Sequence, residues 1–245
     1  MNYVIHAPAA SWKTSVQLPA SKSICNRALI LNALSYSPYE IQNLSDCDDT
    51  DVMVKALNSN DSHFDVKAAG TAMRFLTAFL SKVVGEWTIT GTERMKNRPI
   101  RILVDALNAV GAKIEYLEKE GFPPLRIMGS ALQGGEISLD GGVSSQYISA
   151  LLMIAPLMER GLTLHLQGKV ISKPYIHLTL QLMKQYGVES EWVGSTIKVA
   201  PQSYRPLPYT VESDWSAASY WYEMMALSQQ AEIELKGLFK ESLQG

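Results

Sequence analysis

"LPASKSICNRALILNAL", residues 18–34, poses the question that decides the fold. Apolar residues recur at helical spacing after Ser23, at Ile24, Ala28, Leu29, Leu31 and Leu34. Pro19 and Ser21 give a start signal just upstream. The spacing therefore predicts a helix whose first turns carry Lys22 and Arg27. That end of a helix bears about half a positive charge and a set of unpaired N–H groups, so it favours anions over cations. An exposed cation there loses only roughly 0.3–1 kcal/mol, which a solvated helix start tolerates. A multiply charged anion would instead turn the repulsion into a clamp of N–H groups, hydroxyls, lysine and arginine. The rest of the chain has to choose between the two.

Composition narrows the choice. The chain has 245 residues, 47% hydrophobic and 19% charged, enough for one large domain or two smaller ones. A net charge of −2 does not advertise nucleic acid or an acidic membrane, so an anion site must be local. Cys25 and Cys47 make no disulfide framework and no metal spacing, and fit a reducing cytosol. His6, His63, His165 and His177 are scattered without ligand spacing, so no metal is expected. "SDCDDTD" (45–51) lacks the EF-hand spacing and reads as a helix start that uses Asp for caps and dipole. The first residues carry no signal-peptide pattern, and no uncharged apolar run reaches the roughly 18 residues of a membrane span.

Strand-like and helical runs alternate, and they repeat. "RPIRILVDALNAVGAKIEYLE" (98–118) parallels "KPYIHLTLQLMKQYGVESEWV" (173–193): cation, Pro, helix, Gly, strand. Pro99 and Pro174 lie 75 positions apart, Gly111 and Gly187 76. "DCDDTDVMVKALNS" is a shorter first copy. A second, more apolar helix type recurs in "SKSICNRALILNAL", "GTAMRFLTAFL" and "VSSQYISALLMIA". The reading is three units, each with two helices and several strands, the apolar helices buried and the Pro-started ones more exposed. If rotation relates the units, three buried helix starts converge on one point.

Those starts carry the right chemistry. "AAGTAMR" (68–74) offers Gly70 for close approach and Thr71 as a cap. "GGVSSQY" (141–147) offers Ser144, Ser145 and Gln146, of which a cap needs one serine. "ISKPY" (171–175) places Ser172 and Tyr175 at another start, and "ERMKNRP" (93–99) holds Arg94 beside Lys96 and Arg98, the last two read as a solvated face. "YEIQNL" (39–44) reads as a strand, His165 as a satisfied strand residue, and "WSAASYWYEMM" (215–225) as a core helix.

Together, "LPASKSICNRALILNAL", "AAGTAMRFLTA", "RMKNRPI", "DGGVSSQYISALLMIAP", "ISKPYIHLTL" and "VESDWSAASY" resemble the 5-enolpyruvylshikimate-3-phosphate (EPSP) synthases, in order and over essentially the whole chain. The resemblance implies an α/β fold of two domains, each of three βαβαββ units with buried helices, an inside-out α/β barrel. It implies enolpyruvyl transfer from phosphoenolpyruvate to the 5-hydroxyl of shikimate 3-phosphate, without metal or organic cofactor, by a monomer that glyphosate can inhibit. Ser23, Arg27, Ser144, Ser145, Gln146, Ser172 and Tyr175 resemble the shikimate 3-phosphate contacts. Lys22 resembles the lysine that faces both substrates, and Gly70, Arg94 and Gln146 resemble phosphoenolpyruvate ligands.

Ala68 stands where the family commonly has Asn, and Phe75 where Pro commonly follows the Arg, which bears on glyphosate sensitivity. The family continues well beyond Gly245, the last residue of "KGLFKESLQG". The resemblance places the general base, other acid–base groups and further cations in that continuation, and leaves Lys22 as the catalytic residue of this chain. The expectation is a complete three-unit domain over 21–212, with 1–20 and 213–245 belonging to a second, incomplete domain. Such a chain binds the first substrate without turning it over, and leaves apolar surface on its two end segments. Two rivals remain. UDP-N-acetylglucosamine enolpyruvyl transferases would show Lys-Asn in place of Lys22-Ser23 and a late cysteine loop. A non-catalytic module for phosphorylated ligands would bind only.

Overall fold

A computed structural model describes Val4 and residues 11–244, so His6 and most of the first ten residues lie outside the described residues. Gly245, the boundary beyond which the general base is expected, lies outside them too. The elements run β1 (Ser11–Gln17), α1 (Lys22–Leu34), β2 (Ile41–Gln42), α2 (Asp48–Asn58), β3 (His63–Asp65), α3 (Gly70–Lys82), β4 (Gly85–Thr90), α4 (Glu93–Lys96), α5 (Arg101–Ala109), β5 (Lys113–Tyr116), β6 (Leu125–Gly129), β7 (Gly135–Asp140), α6 (Ser145–Ile154), β8 (Leu162–Gln167), α7 (Lys173–Gln185), β9 (Glu191–Val193), β10 (Thr196–Val199), β11 (Tyr209–Thr210), α8 (Trp215–Ala226) and β12 (Gln230–Lys236).

The repeat is visible in the sheets. One is ordered β3-β4-β6-β5 and the other β7-β8-β10-β9. In each, the first two strands are parallel around a buried helix and the rest antiparallel. The outer helices α5 and α7 end at equivalent glycines, Gly111 (φ 103°) and Gly187 (φ 85°), where a left-handed residue closes the last turn. The first unit is the shorter copy: α1, β2 and α2, with β2 paired in parallel to the distant β11. The expected strand over 39–44 shrinks to Ile41–Gln42 because Asn43 turns to φ 56° and donates from Nδ2 to Val211 O at 2.7 Å.

Burial separates the two helix types. Every residue of α6 except Gln146 is buried, and α3 exposes little beyond Phe79 and Lys82. The helices α2, α5 and α7 bury one stripe each. Each fully buried Leu, Ile or Phe contributes roughly 1.5–3 kcal/mol, so α1, α3 and α6 form the organising core. Strands β6 and β10 alternate buried and exposed positions, which puts one face of each sheet on that core and the other in water.

A smaller part stands beside this body. β1 pairs in parallel with β12, and α8 packs near β12. Two strands of chain cross into it together, joined by Ser21 N–H to Glu212 O at 2.9 Å and Asp214 N–H to Pro19 O at 2.8 Å. The reading of residues 215–225 as core is overturned. Only Ala218 of α8 is buried, and Tyr220 and Tyr222 are 68% and 50% exposed. The reason is geometric: among the described residues, β1 and β12 offer a single thin sheet, which leaves the rest of this apolar helix uncovered. The companion expectation, of apolar surface on the end segments, is what the helix shows. No helix among the described residues is long and apolar enough to cross a membrane.

Candidate functional site

The starts of the inner helices meet, as the repeat predicts. A pocket of about 300 Å³ is lined by Lys22, Ser23 and Arg27 of α1, Thr71 of α3, Ser144, Ser145 and Gln146 at the start of α6, and Tyr175 of α7. A second space of about 390 Å³ adjoins it through Ser23 and Tyr175, and reaches Asp214, Trp215 and Ser216.

Arg27 is the centre of this site. It is 3% exposed, yet no described carboxylate pairs with it. Its Nε donates to Thr179 Oγ1 at 2.7 Å, Nη1 to Ser23 O at 2.9 Å and Nη2 to Ser149 Oγ at 3.0 Å. The guanidinium lies over the Phe75 ring, 5.2 Å from its centroid. Burial pushes its pKa down to about 10, opposed weakly by Tyr175, so it stays charged at neutral pH. A buried cation held only by neutral groups is costly unless something anionic meets it. Its position on the pocket wall lets an anion do so.

The serine pair resolves into two roles. Ser144 is the N-cap of α6, and its hydroxyl accepts from Gln146 N–H at 3.3 Å. Ser145 is free of that duty, buried on the pocket wall. Gln146, the one residue of α6 that is not fully buried, donates from Nε2 to Thr71 Oγ1 at 3.2 Å and so ties two helix starts together. Thr71 does not cap α3: the N-cap is Ala69, without a side-chain bond. Asp49 takes part of that duty, accepting from Thr71 N–H at 3.2 Å. Nor does an Asp cap α2, whose N-cap is Cys47; its three first-turn aspartates serve the dipole instead.

Other expected residues lie further out. Ser172, the N-cap of α7, is exposed with φ 55° and does not line the pocket. Arg94 is exposed on the single turn α4. Gly70 opens α3 next to Thr71. Reading Lys96 and Arg98 as one solvated face holds for Lys96, which pairs with Glu118 at 2.8 Å. Arg98 is different: its guanidinium packs on Gly70, with Nη2 2.6 Å from where a Cβ would stand. His165 is satisfied in its strand, with Nδ1 3.1 Å from Thr196 Oγ1.

Sequence reasoning missed Ser149, Thr179 and Arg74. Arg74 is 4% exposed, donating from Nη1 to Gly70 O at 3.0 Å and from Nη2 to Pro99 O at 3.3 Å. The signal was present: Arg27, Arg74 and Ser149 each lie four residues after Ser23, Gly70 and Ser145, one helical turn inside each inner helix.

The geometry defines a class of protein: α/β repeats with several helix N-termini aimed at one cationic, hydroxyl-rich pocket. The sequence matches the family model of EPSP synthase (3-phosphoshikimate 1-carboxyvinyltransferase) over residues 7–60 and 57–245, and the chain belongs to that family. It is 61% identical to the 3-phosphoshikimate 1-carboxyvinyltransferase of Bacteroides fragilis (strain YCH46), covering 100% of this chain and 60% of that protein. To the protein of the same name from Vibrio vulnificus (strain YJ016) it is 42% identical, covering 94% of this chain and 60% of the relative. The chain thus spans about 60% of the length of these relatives. Its fold is that of the EPSP synthase from Acinetobacter baumannii, with a TM-score of 0.82 at 19% identity over 94% of this chain and 56% of the other.

Proposed function

We propose that the pocket holds the phosphate of shikimate 3-phosphate, and that the whole protein transfers the enolpyruvyl group of phosphoenolpyruvate to the 5-hydroxyl. In that reaction C3 of phosphoenolpyruvate gains a proton while the 5-oxygen bonds to C2 and gives up its own. The tetrahedral adduct then loses phosphate from C2 and the proton from C3, restoring the double bond. The observation that carries the reading is Arg27: a buried guanidinium with neutral partners only, open to a pocket at several helix starts.

In this reading Ser23, Arg27, Ser144, Ser145, Gln146, Ser172 and Tyr175 serve shikimate 3-phosphate. Ser172 then acts from the rim. Lys22, exposed at the mouth, faces both substrates, and Gly70, Arg94 and Gln146 serve phosphoenolpyruvate. Residues 21–212 act as one substrate-binding domain, while 1–20 and 213–245 belong to a second; the paired crossing at Ala20 and Ser213 supports the division. A cytosolic monomer open to glyphosate completes the proposal, with the two free thiols suiting a reducing compartment.

The lining supplies one amine, Lys22, and no carboxylate, and the proposal assigns the remaining acid–base groups to sequence beyond Gly245. The 245-residue chain is therefore expected to bind without releasing phosphate. Calorimetry of this chain tests the reading. Shikimate 3-phosphate should bind, shikimate should bind far more weakly, and affinity should fall as salt rises. Equal affinity for shikimate and its phosphate would refute the assignment. Phosphate release from the two substrates by the sequence-verified chain would refute only the division of labour.

A further inference from the structure

A separate pocket lies at the opposite ends of the first unit's helices. It measures about 490 Å³ and sits between the carboxyl ends of α1 and α2 and the loop over 36–41. Leu29 of α1, and Val54 and Leu57 of α2, give it apolar walls. The length of α1, about 20 Å, separates it from Lys22. Its electrostatics invert those of the anion pocket, because helix carboxyl ends carry partial negative charge. The last turn of α1 holds no basic residue, and α2 stops at Ser59 in an extended conformation without a capping N–H. Lys55, in the last turn of α2, lines a different groove beside Asp48 and Asp51. Among the described residues the pocket wall carries one charged group, the carboxylate of Glu40. Asn32 Oδ1 is buried in that wall without a donor, while Nδ2 holds the amide in place by donating to Tyr39 O at 3.0 Å.

Tyr36 sharpens the point. It holds φ 51° one residue past the α1 C-cap, the place that usually takes glycine. Tyr36 N–H donates to Ala33 O and Ser37 N–H to Asn32 O, both at 3.1 Å, the bonding pattern of a Schellman turn. Yet the side chain is 93% exposed, so the ring adds no packing to offset its left-handed backbone. A second tyrosine, Tyr39, is exposed on the same rim. Aromatic faces attract cations, and so do a carboxylate and helix carboxyl ends. We propose that this pocket binds an organic ammonium ion, with an aromatic or branched aliphatic body against Leu29, Val54 and Leu57 and its charge toward Glu40 and the tyrosine rings. The site stands apart from the anion pocket and does not depend on the enolpyruvyl-transfer reading.

The test titrates the 245-residue chain with phenethylammonium, followed by NMR, with phenethyl alcohol and phenylacetate as neutral and anionic controls. The cation should bind about fivefold or more tighter than the alcohol, and phenylacetate should not bind measurably. Tyr36→Gly removes the ring and suits the left-handed backbone. It should weaken the cation about threefold or more while the melting temperature holds or rises. Glu40→Gln should weaken the cation about two- to fivefold and leave the alcohol unchanged. Val54→Lys sets a like charge in the wall and should abolish cation binding. Shikimate 3-phosphate affinity should match wild type in Tyr36→Gly and Glu40→Gln. No binding of phenethylammonium, equal affinity for cation and alcohol, or wild-type affinity in both Tyr36→Gly and Glu40→Gln would overturn the proposal. If shikimate 3-phosphate fails to bind while the ammonium still depends on Tyr36 and Glu40, the substrate assignment falls and this site stands.

Discussion

Two buried arginines, one turn inside two inner helices, show how one repeat supplies different parts. Arg27 and Arg74 each donate to the carbonyl four residues back, Ser23 O and Gly70 O. Each lies over an aromatic ring, Phe75 at 5.2 Å and Tyr147 at 5.9 Å. Each has its pKa lowered chiefly by burial. Their surroundings then diverge. Arg27 is braced by hydroxyls, Thr179 and Ser149, and opens on the pocket. Arg74 is braced by backbone, Gly70 O and Pro99 O, and does not line it. The third inner helix has Ser149 at the matching place, and that serine bonds to Arg27 and to Thr179. One register thus yields a pocket-facing cation, a strut and the hydroxyl that orients the first. Equivalent positions in a repeat need not share a function; what faces the shared axis decides.

The sharpest break of this comparison is Arg27→Met beside Arg74→Met. Losing a charged, multiply bonded phosphate contact should cost about 2 kcal/mol or more of shikimate 3-phosphate binding, roughly thirtyfold. Arg74→Met should leave that affinity within about twofold. Removing either unpaired buried charge should leave the ligand-free melting temperature little changed, because a methionine avoids the desolvation cost. Calorimetry alongside melting curves checks both. Equal loss of affinity in the two variants would erase the distinction.

Next in size is the serine pair, which separates a ligand that also caps its helix from one that does not. Ser144→Ala should lower stability by about 1 kcal/mol, as a lost N-cap does, as well as shikimate 3-phosphate affinity. Ser145→Ala should lower shikimate 3-phosphate affinity by about 1 kcal/mol and spare the melting temperature. An unchanged affinity for Ser145→Ala would return that residue to the structural role.

Much of this was legible in the chain. Lys22 and Arg27 at a helix start, hydroxyls at the others and Gly-terminated outer helices depend on local periodicity and capping chemistry, which a sequence displays directly. Convergence of the starts followed from the repeat. What escaped were relations between units: Gln146 reaching Thr71, Asp49 bonding a helix other than its own, and Arg98 turning in over Gly70 while Lys96 turned out to Glu118. Each depends on which face meets a neighbour distant in sequence. The α8 reading failed for the converse reason. Its apolar spacing declares a face to be covered, but spacing alone does not say that the cover lies within residues 11–244.

Phe75 gives a smaller effect on the same comparison. It is fully buried under the Arg27 guanidinium, whereas Phe79 on the same helix is half-buried and away from it. Phe75→Leu should lose roughly 1–2 kcal/mol of stability to imperfect filling. The missing ring face should also loosen Arg27 and weaken shikimate 3-phosphate by about two- to fivefold. Phe79→Leu should leave that affinity unchanged. Equal affinities in both variants would show that the ring only fills space.

The smallest expected effect carries the theme of burial to the two thiols. Cys25 is fully buried on α1, its Sγ accepting from Ser45 N–H at 3.0 Å, while Cys47 is half-exposed at the start of α2. Burial raises the Cys25 pKa from the usual 9.0 to about 11, with the Ser45 contact opposing. The folded chain therefore keeps this proton where the unfolded chain has released it. The associated stability is fully present below pH 9 and is lost between pH 9 and about 11. Melting curves across that window should fall more steeply for wild type than for Cys25→Ala. A residual slope should persist in the variant above about pH 10, since burial also raises Tyr186, Tyr204 and Tyr209, which lose protons first on unfolding. At pH 8 a thiol reagent should modify Cys47 in the folded chain and reach Cys25 only after denaturation. Parallel melting slopes between pH 9 and 10, or equal reactivity of the two thiols before unfolding, would show that the protein interior does not distinguish them as the structure requires.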